Sequence, residues 1–170
     1  MVCLTNLIIK FFICDYKLMI HNIPFINLPS CPLLDYIKNG TKTVEGRKNS
    51  STYHNIKKDD IIIFKTKGET DVYAKVTYVN KYKTLEDYLK TETIEKTLPC
   101  VKSLEEGIQM YNRWSSEKER NELKEKYGYA FLGIGISVIS HEQFVSMQKY
   151  WKYKSKYLKF KNNNKPITTN

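Results

Sequence analysis

The stretch Gly40-Thr41-Lys42-Thr43-Val44-Glu45-Gly46-Arg47 decides the reading of this chain. It sets a lysine, a hydroxyl, a carboxylate and an arginine just after a turn glycine, a site-like density of chemistry. Side chains alternate along a strand, so Thr43, Glu45 and Arg47 share one face while Lys42 and Val44 take the other. Uniting all four requires a bend. The turn at Gly40 or Gly46 can supply it, since glycine inside a strand pattern marks a bulge or a close backbone approach. The plain alternative is a solvated edge strand in which Glu45 and Arg47 merely pair. A binding site brings the Lys42 amine and the Glu45 carboxylate within roughly 4 Å of each other or of Arg47, inside a concave pocket. An edge strand splays them over a convex surface.

The flanking segments choose between these. Leu34-Asp35-Tyr36-Ile37-Lys38 reads as a short helix before the motif. After a mixed polar segment, Ile56-Lys57-Lys58-Asp59-Asp60-Ile61-Ile62-Ile63-Phe64 reads as a tight turn feeding a buried strand. Helix, then G-x-K-T-x-E-x-R, then I-x-x-x-D-x-I-x-F resembles the ASCH domain, a member of the PUA-like superfamily. The likeness runs from about Met19 to Ile139, through Val79–Leu89 and the Lys126-Tyr127-Gly128 that introduces the last strand. Asp59 departs from it, standing where such domains usually carry glycine in a G-D turn. Aspartate tolerates the left-handed conformation better than most residues, so the turn survives.

The resemblance implies an α+β fold: a PUA-like partial β-barrel of about five strands, with flanking helices and a helical insert before the last strand. It implies no cofactor. It also implies a cleft beside the barrel that holds RNA or a nucleoside-type ligand, lined by Lys42, Thr43, Glu45 and Arg47. Some bacterial ASCH proteins are amidohydrolases acting on N-acetylated cytidine, using the motif lysine, a threonine three residues later and a glutamate from the following helical region. Lys42 matches that lysine, Glu45 stands where the threonine would be, and Glu92 and Glu95 are candidates for the remote glutamate, with solvated helix positions as the plainer reading. In an enzyme, Lys42 and Glu45 would be the catalytic pair. A carboxylate beside a lysine stabilises the ammonium and raises its pKa, which argues for a binder over a lysine nucleophile.

The coarse order of elements agrees with this fold. A first strand spans Leu18 to Leu28, broken by Pro29 and Pro32 before a helix from 32 to 39 that stops at Gly40. Strands follow at about 42–47, 60–66 and 71–80, the last two joined by the turn Lys67-Gly68-Glu69-Thr70. Leu85, Tyr88 and Leu89 share a helical face. Ser103-x-x-Glu106 and Ser116-x-x-Glu119 are capping boxes opening two further helices, the second with little apolar periodicity and hence on the surface. Tyr129 to Ile139 is long and apolar enough for a central strand.

At 170 residues and 41% hydrophobic, the chain suits one domain, spanning 19–140, with an N-terminal extension over 1–18 and a basic aromatic tail over 141–170. Seven lysines and no acid lie between 149 and 170; the remaining 148 residues hold 21 Lys and Arg against 18 Asp and Glu, so the domain itself is only mildly basic. In the tail, cations alternate with Tyr150, Tyr153, Tyr157 and Phe160. Two readings stand: a nucleic-acid grip by phosphate neutralisation and base stacking, or a helix docking on the domain or a partner. The helical insert and this tail together give a third functional reading, a protein-interaction module. Residues 1–17 and 162–170 are expected to make few buried contacts, the latter disordered.

Cys3, Cys14, Cys31 and Cys100 show no C-x-x-C or Cys-His clustering, and His21, His54 and His141 lie far apart. This pattern gives no metal site and an intracellular, reducing setting, cytoplasmic or nuclear. Lys10, Asp15 and Lys17 interrupt the apolar N-terminus, which falls short of the roughly 20 apolar residues that span a bilayer, so no membrane partner is expected.

Overall fold

Strand β3, Ile61-Ile62-Ile63-Phe64-Lys65, is apolar at four successive positions because both of its faces are covered. Ile62 and Phe64 enter the main core, while Ile61 and Ile63 meet Phe144 on the opposite face. The computed structural model describes residues 18–163. Around β3 it arranges β1 (Ile20–Pro24), β2 (Val44–Lys48), β4 (Val72–Tyr82) and β5 (Phe131–Ile139) in one five-stranded half-barrel sheet of order β1-β3-β4-β5-β2. β1 runs parallel to β3, and the other neighbours are antiparallel. Helices α1 (Leu33–Lys38), α2 (Leu85–Glu92), α3 (Ile94–Thr97), α4 (Leu104–Asn112) and α5 (Glu117–Tyr127) flank it, α2 to α5 forming the insert between β4 and β5. A last helix, α6 (His141–Asn163), follows β5.

Local chemistry sets the element ends. Ser103 and Ser116 cap α4 and α5, each hydroxyl accepting from the amide three residues on, Glu106 and Glu119. Gly128 ends α5 in the left-handed conformation at φ 82°. Asp59 takes φ 72°, the strained turn that glycine would enter freely. Its neighbour Asp60 closes the turn by accepting the Lys57 amide at 3.0 Å. No residue of α5 is buried, as its weak periodicity predicts.

Several expectations need correction. β1 covers only Ile20–Pro24, the stretch that pairs with β3; beyond it the chain folds into a loop closed by the Leu28–Cys31 bridge. β2 starts at Val44 because the amides of Lys42 and Thr43 turn instead to Tyr36 and Lys96 carbonyls. Cys31 and Cys100 are disulfide-bonded across 69 residues, a separation that leaves no local signal in the sequence. The aromatic stripe of α6 does not dock on the domain. The start of that helix packs through Phe144, Val145 and Met147, while Tyr150, Tyr153, Tyr157 and Phe160 stay exposed. The helix continues through Asn162 and Asn163, contrary to the expected disorder there. Expectations for residues 1–17 and 164–170 lie outside the described residues. Among the described residues, no helix is long and apolar enough to cross a membrane.

Candidate functional site: a charged cavity walled by aromatics

Gly46 is where the sheet lets other elements come close. A Cβ there would fall 2.2 Å from the Tyr111 hydroxyl and 2.4 Å from that of Tyr88, so only glycine fits beneath these tyrosines of α4 and α2. The glycine thus marks a close approach; the sheet's irregularity lies elsewhere, between Val76 and Tyr78 of β4.

Beside it, Lys42 and Glu45 meet because the lysine, just before β2, folds back onto the start of that strand. The Lys42 ammonium donates to the carbonyls of Val44 and Thr97, both at 2.6 Å, and lies 3.2 Å from Glu45 Oε2. Those three acceptors fill the donor capacity of an ammonium. On the other side of the carboxylate, Arg47 Nε sits 2.7 Å from Glu45 Oε1. That N–H is not aimed along the contact, which is an ion pair without a formed hydrogen bond. With Lys42 protonated, two cations around one carboxylate leave the cluster with a net positive charge.

The Lys42 side chain is only 1% exposed. Burial pushes its pKa below the ordinary lysine value; Glu45 pulls it up, and Arg47 pushes it further down. The sequence-based expectation of a raised pKa therefore fails, because desolvation outweighs the carboxylate.

The cluster opens into a cavity of about 450 Å³, lined among others by Lys42, Glu45, Gly46 and Arg47. Its walls are aromatic. Arg47 lies against the rings of Phe25 and Tyr53, its guanidinium carbon 5.7 Å and 5.3 Å from their centroids. Tyr111 and Phe131 line the cavity from α4 and β5. Trp114, 44% exposed, stands at the rim with its ring edge-on to Tyr111. Three of the four expected residues, Lys42, Glu45 and Arg47, therefore converge, as a site requires. Thr43 does not line the cavity; its backbone links Lys96 to Ile136.

The remote glutamates part ways. Glu95 is exposed. Glu92 is 5% exposed, not solvated as expected, and accepts hydrogen bonds from Tyr78 Oη and Tyr82 Oη at 2.6 Å each and from Asn80 Nδ2 at 3.0 Å. It does not line the cavity. Burial, then Glu92, pushes the Tyr82 hydroxyl up to about 12. The aromatic walls escaped the sequence reading, although Tyr53 sits in the polar segment after the motif and Trp114 just before the second capping box, where an isolated large aromatic is itself a signal.

The model of the ASCH domain family matches residues 31–163. No curated protein matches the chain. Among solved structures, the chain is 31% identical to the hypothetical protein PH0355, over 71% of this chain and all of that one, with a TM-score of 0.59. Protein PF0455 from Pyrococcus furiosus is likewise 31% identical, over 72% of this chain and all of its own, with a TM-score of 0.55. Motif, half-barrel and family match agree, and the chain belongs to the ASCH domain family.

Proposed function

We propose that the cavity binds a nucleoside or an unstacked base of RNA. One observation carries the reading: Arg47 is held against Phe25, Tyr53 and Glu45, at the edge of a cavity of about 450 Å³. That volume is within the usual range for small-ligand pockets, roughly 300–1,000 Å³. Arg47 offers N–H donors to a carbonyl or phosphate oxygen, and Glu45 has lone pairs left to accept from a base amino group. Trp114 at the rim offers a face for stacking. Lys42, with all three donors engaged, positions Glu45 and sets the charge of the floor. Thr43 has no direct role in this reading.

The test is titration calorimetry of the protein with a panel of nucleosides and short RNAs. Arg47→Ala should weaken the preferred ligand roughly tenfold or more, the loss expected for a hydrogen bond to a charged group. Affinity unchanged in Arg47→Ala would remove the cavity from consideration.

A second reading, metal-independent amidohydrolysis of N-acetylated cytidine-type nucleosides, is favoured by the lowered pKa of Lys42, since a reactive lysine must lose its proton near neutral pH. Against it, deprotonation would leave one of the three acceptors around the amine without a donor. Acetate release by the wild type, abolished in Lys42→Ala at saturating substrate, would establish it.

A further inference from the structure

Much of α6 carries exposed aromatic side chains. Its start is fixed by Phe144, 7% exposed against Ile61 and Ile63 and stacked on Tyr73 at 4.6 Å between ring centroids. Beyond Met147, Trp151 is half-buried, edge-on to Tyr150 and beneath the Lys154 ammonium, whereas Tyr150, Tyr153, Tyr157 and Phe160 are 59%, 72%, 55% and 69% exposed. Their spacing of three, four and three residues puts them on one stripe, about 80° wide at 3.6 residues per turn. Helical register places Lys149 and Lys156 along one edge of this stripe and Lys154 along the other. No acidic residue occurs from Lys149 to Asn163. A contiguous exposed aromatic stripe on a folded protein marks a docking surface.

Charge selects the occupant. A second copy of the helix would set lysines against lysines. An interfacial membrane helix needs a continuous apolar face opposite its basic one, whereas here lysines border both edges of a stripe built mainly of phenols. A single strand of nucleic acid matches both features, offering phosphates to the lysines and base faces to the exposed rings. At a rise of about 1.5 Å per residue, Tyr150, Tyr153 and Tyr157 are about 4.5 and 6 Å apart along the helix axis. These steps exceed the ~3.4 Å stacked spacing of a duplex strand and suit an unstacked one.

We infer that the Lys149–Phe160 face of α6 is a second binding surface, separate from the cavity, for single-stranded nucleic acid. Tyr150, Tyr153 and Tyr157 form the stacking platforms, and Lys149, Lys154 and Lys156 neutralise phosphates.

Fluorescence anisotropy of the full chain with labelled oligouridylate and oligodeoxythymidylate, across a range of salt, tests this. Replacing Tyr150, Tyr153 and Tyr157 together by alanine should weaken binding at least tenfold. Replacing them by leucine, which keeps the helix and an apolar stripe, should weaken it to the same degree, with circular dichroism confirming that the helix is kept. Lys→Gln at 149, 154 and 156 should lower the slope of log affinity against log salt by about 2, at ~0.7 per phosphate contact. Titrations of a single nucleoside into the cavity should be unmoved by all these changes, so the two sites can fail separately. Full binding by the leucine variant would overturn the stacking role. Tighter binding of the wild type to phosphatidylserine vesicles than to either oligonucleotide would assign the surface to a membrane instead.

Discussion

Glu45 and Glu92 are buried almost equally, at 4% and 5% exposure, yet the protein holds them in opposite ways. Glu45 lies between two cations at the wall of an open cavity. Glu92 is surrounded by neutral donors, Tyr78, Tyr82 and Asn80, and does not line that cavity. The difference separates a site from a strut. A charged cluster around accessible space can exchange one partner for a ligand; a carboxylate whose donors are all protein groups ties β4 to the end of α2.

The contrast breaks most readily at Glu45. Glu45→Gln keeps the shape but leaves the buried Lys42 without a counter-charge, and should cost about 3–5 kcal/mol in urea unfolding. A loss below about 1 kcal/mol would mean that Lys42 is already neutral in the folded protein. Gly46→Ala comes next, since its methyl would collide with the hydroxyls of Tyr111 and Tyr88. Overpacking of this kind costs about 1–3 kcal/mol, read in the same assay.

Alkaline pH probes the Glu92 side. The Tyr82 hydroxyl titrates near 10.0 when unfolded and about 12 when folded, so its contribution is complete below pH 10 and is lost as pH rises toward 12. The loss amounts to about 1.4 kcal/mol per pH unit within that window. Tyrosinate absorbance should therefore rise together with unfolding; ionisation of all the tyrosines in a protein still folded would contradict it. Glu92→Gln should be the mildest change, about 1 kcal/mol or less, because the amide can still accept from Tyr82 and donate to Tyr78. Equal losses from Glu92→Gln and Glu45→Gln would erase the contrast.

What the sequence revealed of this fold and site follows from what is local. The left-handed Asp59, the caps at Ser103 and Ser116 and the stop at Gly128 each depend on a few adjacent residues, and each was readable. So was the convergence of Lys42, Glu45 and Arg47, which lie within six positions of one another. The direction of the Lys42 shift was not readable, because it depends on burial under α3 and β2 rather than on its neighbours in sequence. Phe25, Tyr53 and Trp114 escaped for the same reason: they come from three loops that the half-barrel brings together. Glu92 looked like any helical glutamate until β4 supplied its tyrosines.

The most direct test of the cavity is calorimetric titration of a nucleoside panel into the wild type, Arg47→Ala and Glu92→Gln side by side. The charged cavity should bind one nucleoside class, lose it at least roughly tenfold in Arg47→Ala, and keep it in Glu92→Gln. Binding that survives in Arg47→Ala but fails in Glu92→Gln would reverse the assignment of site and strut.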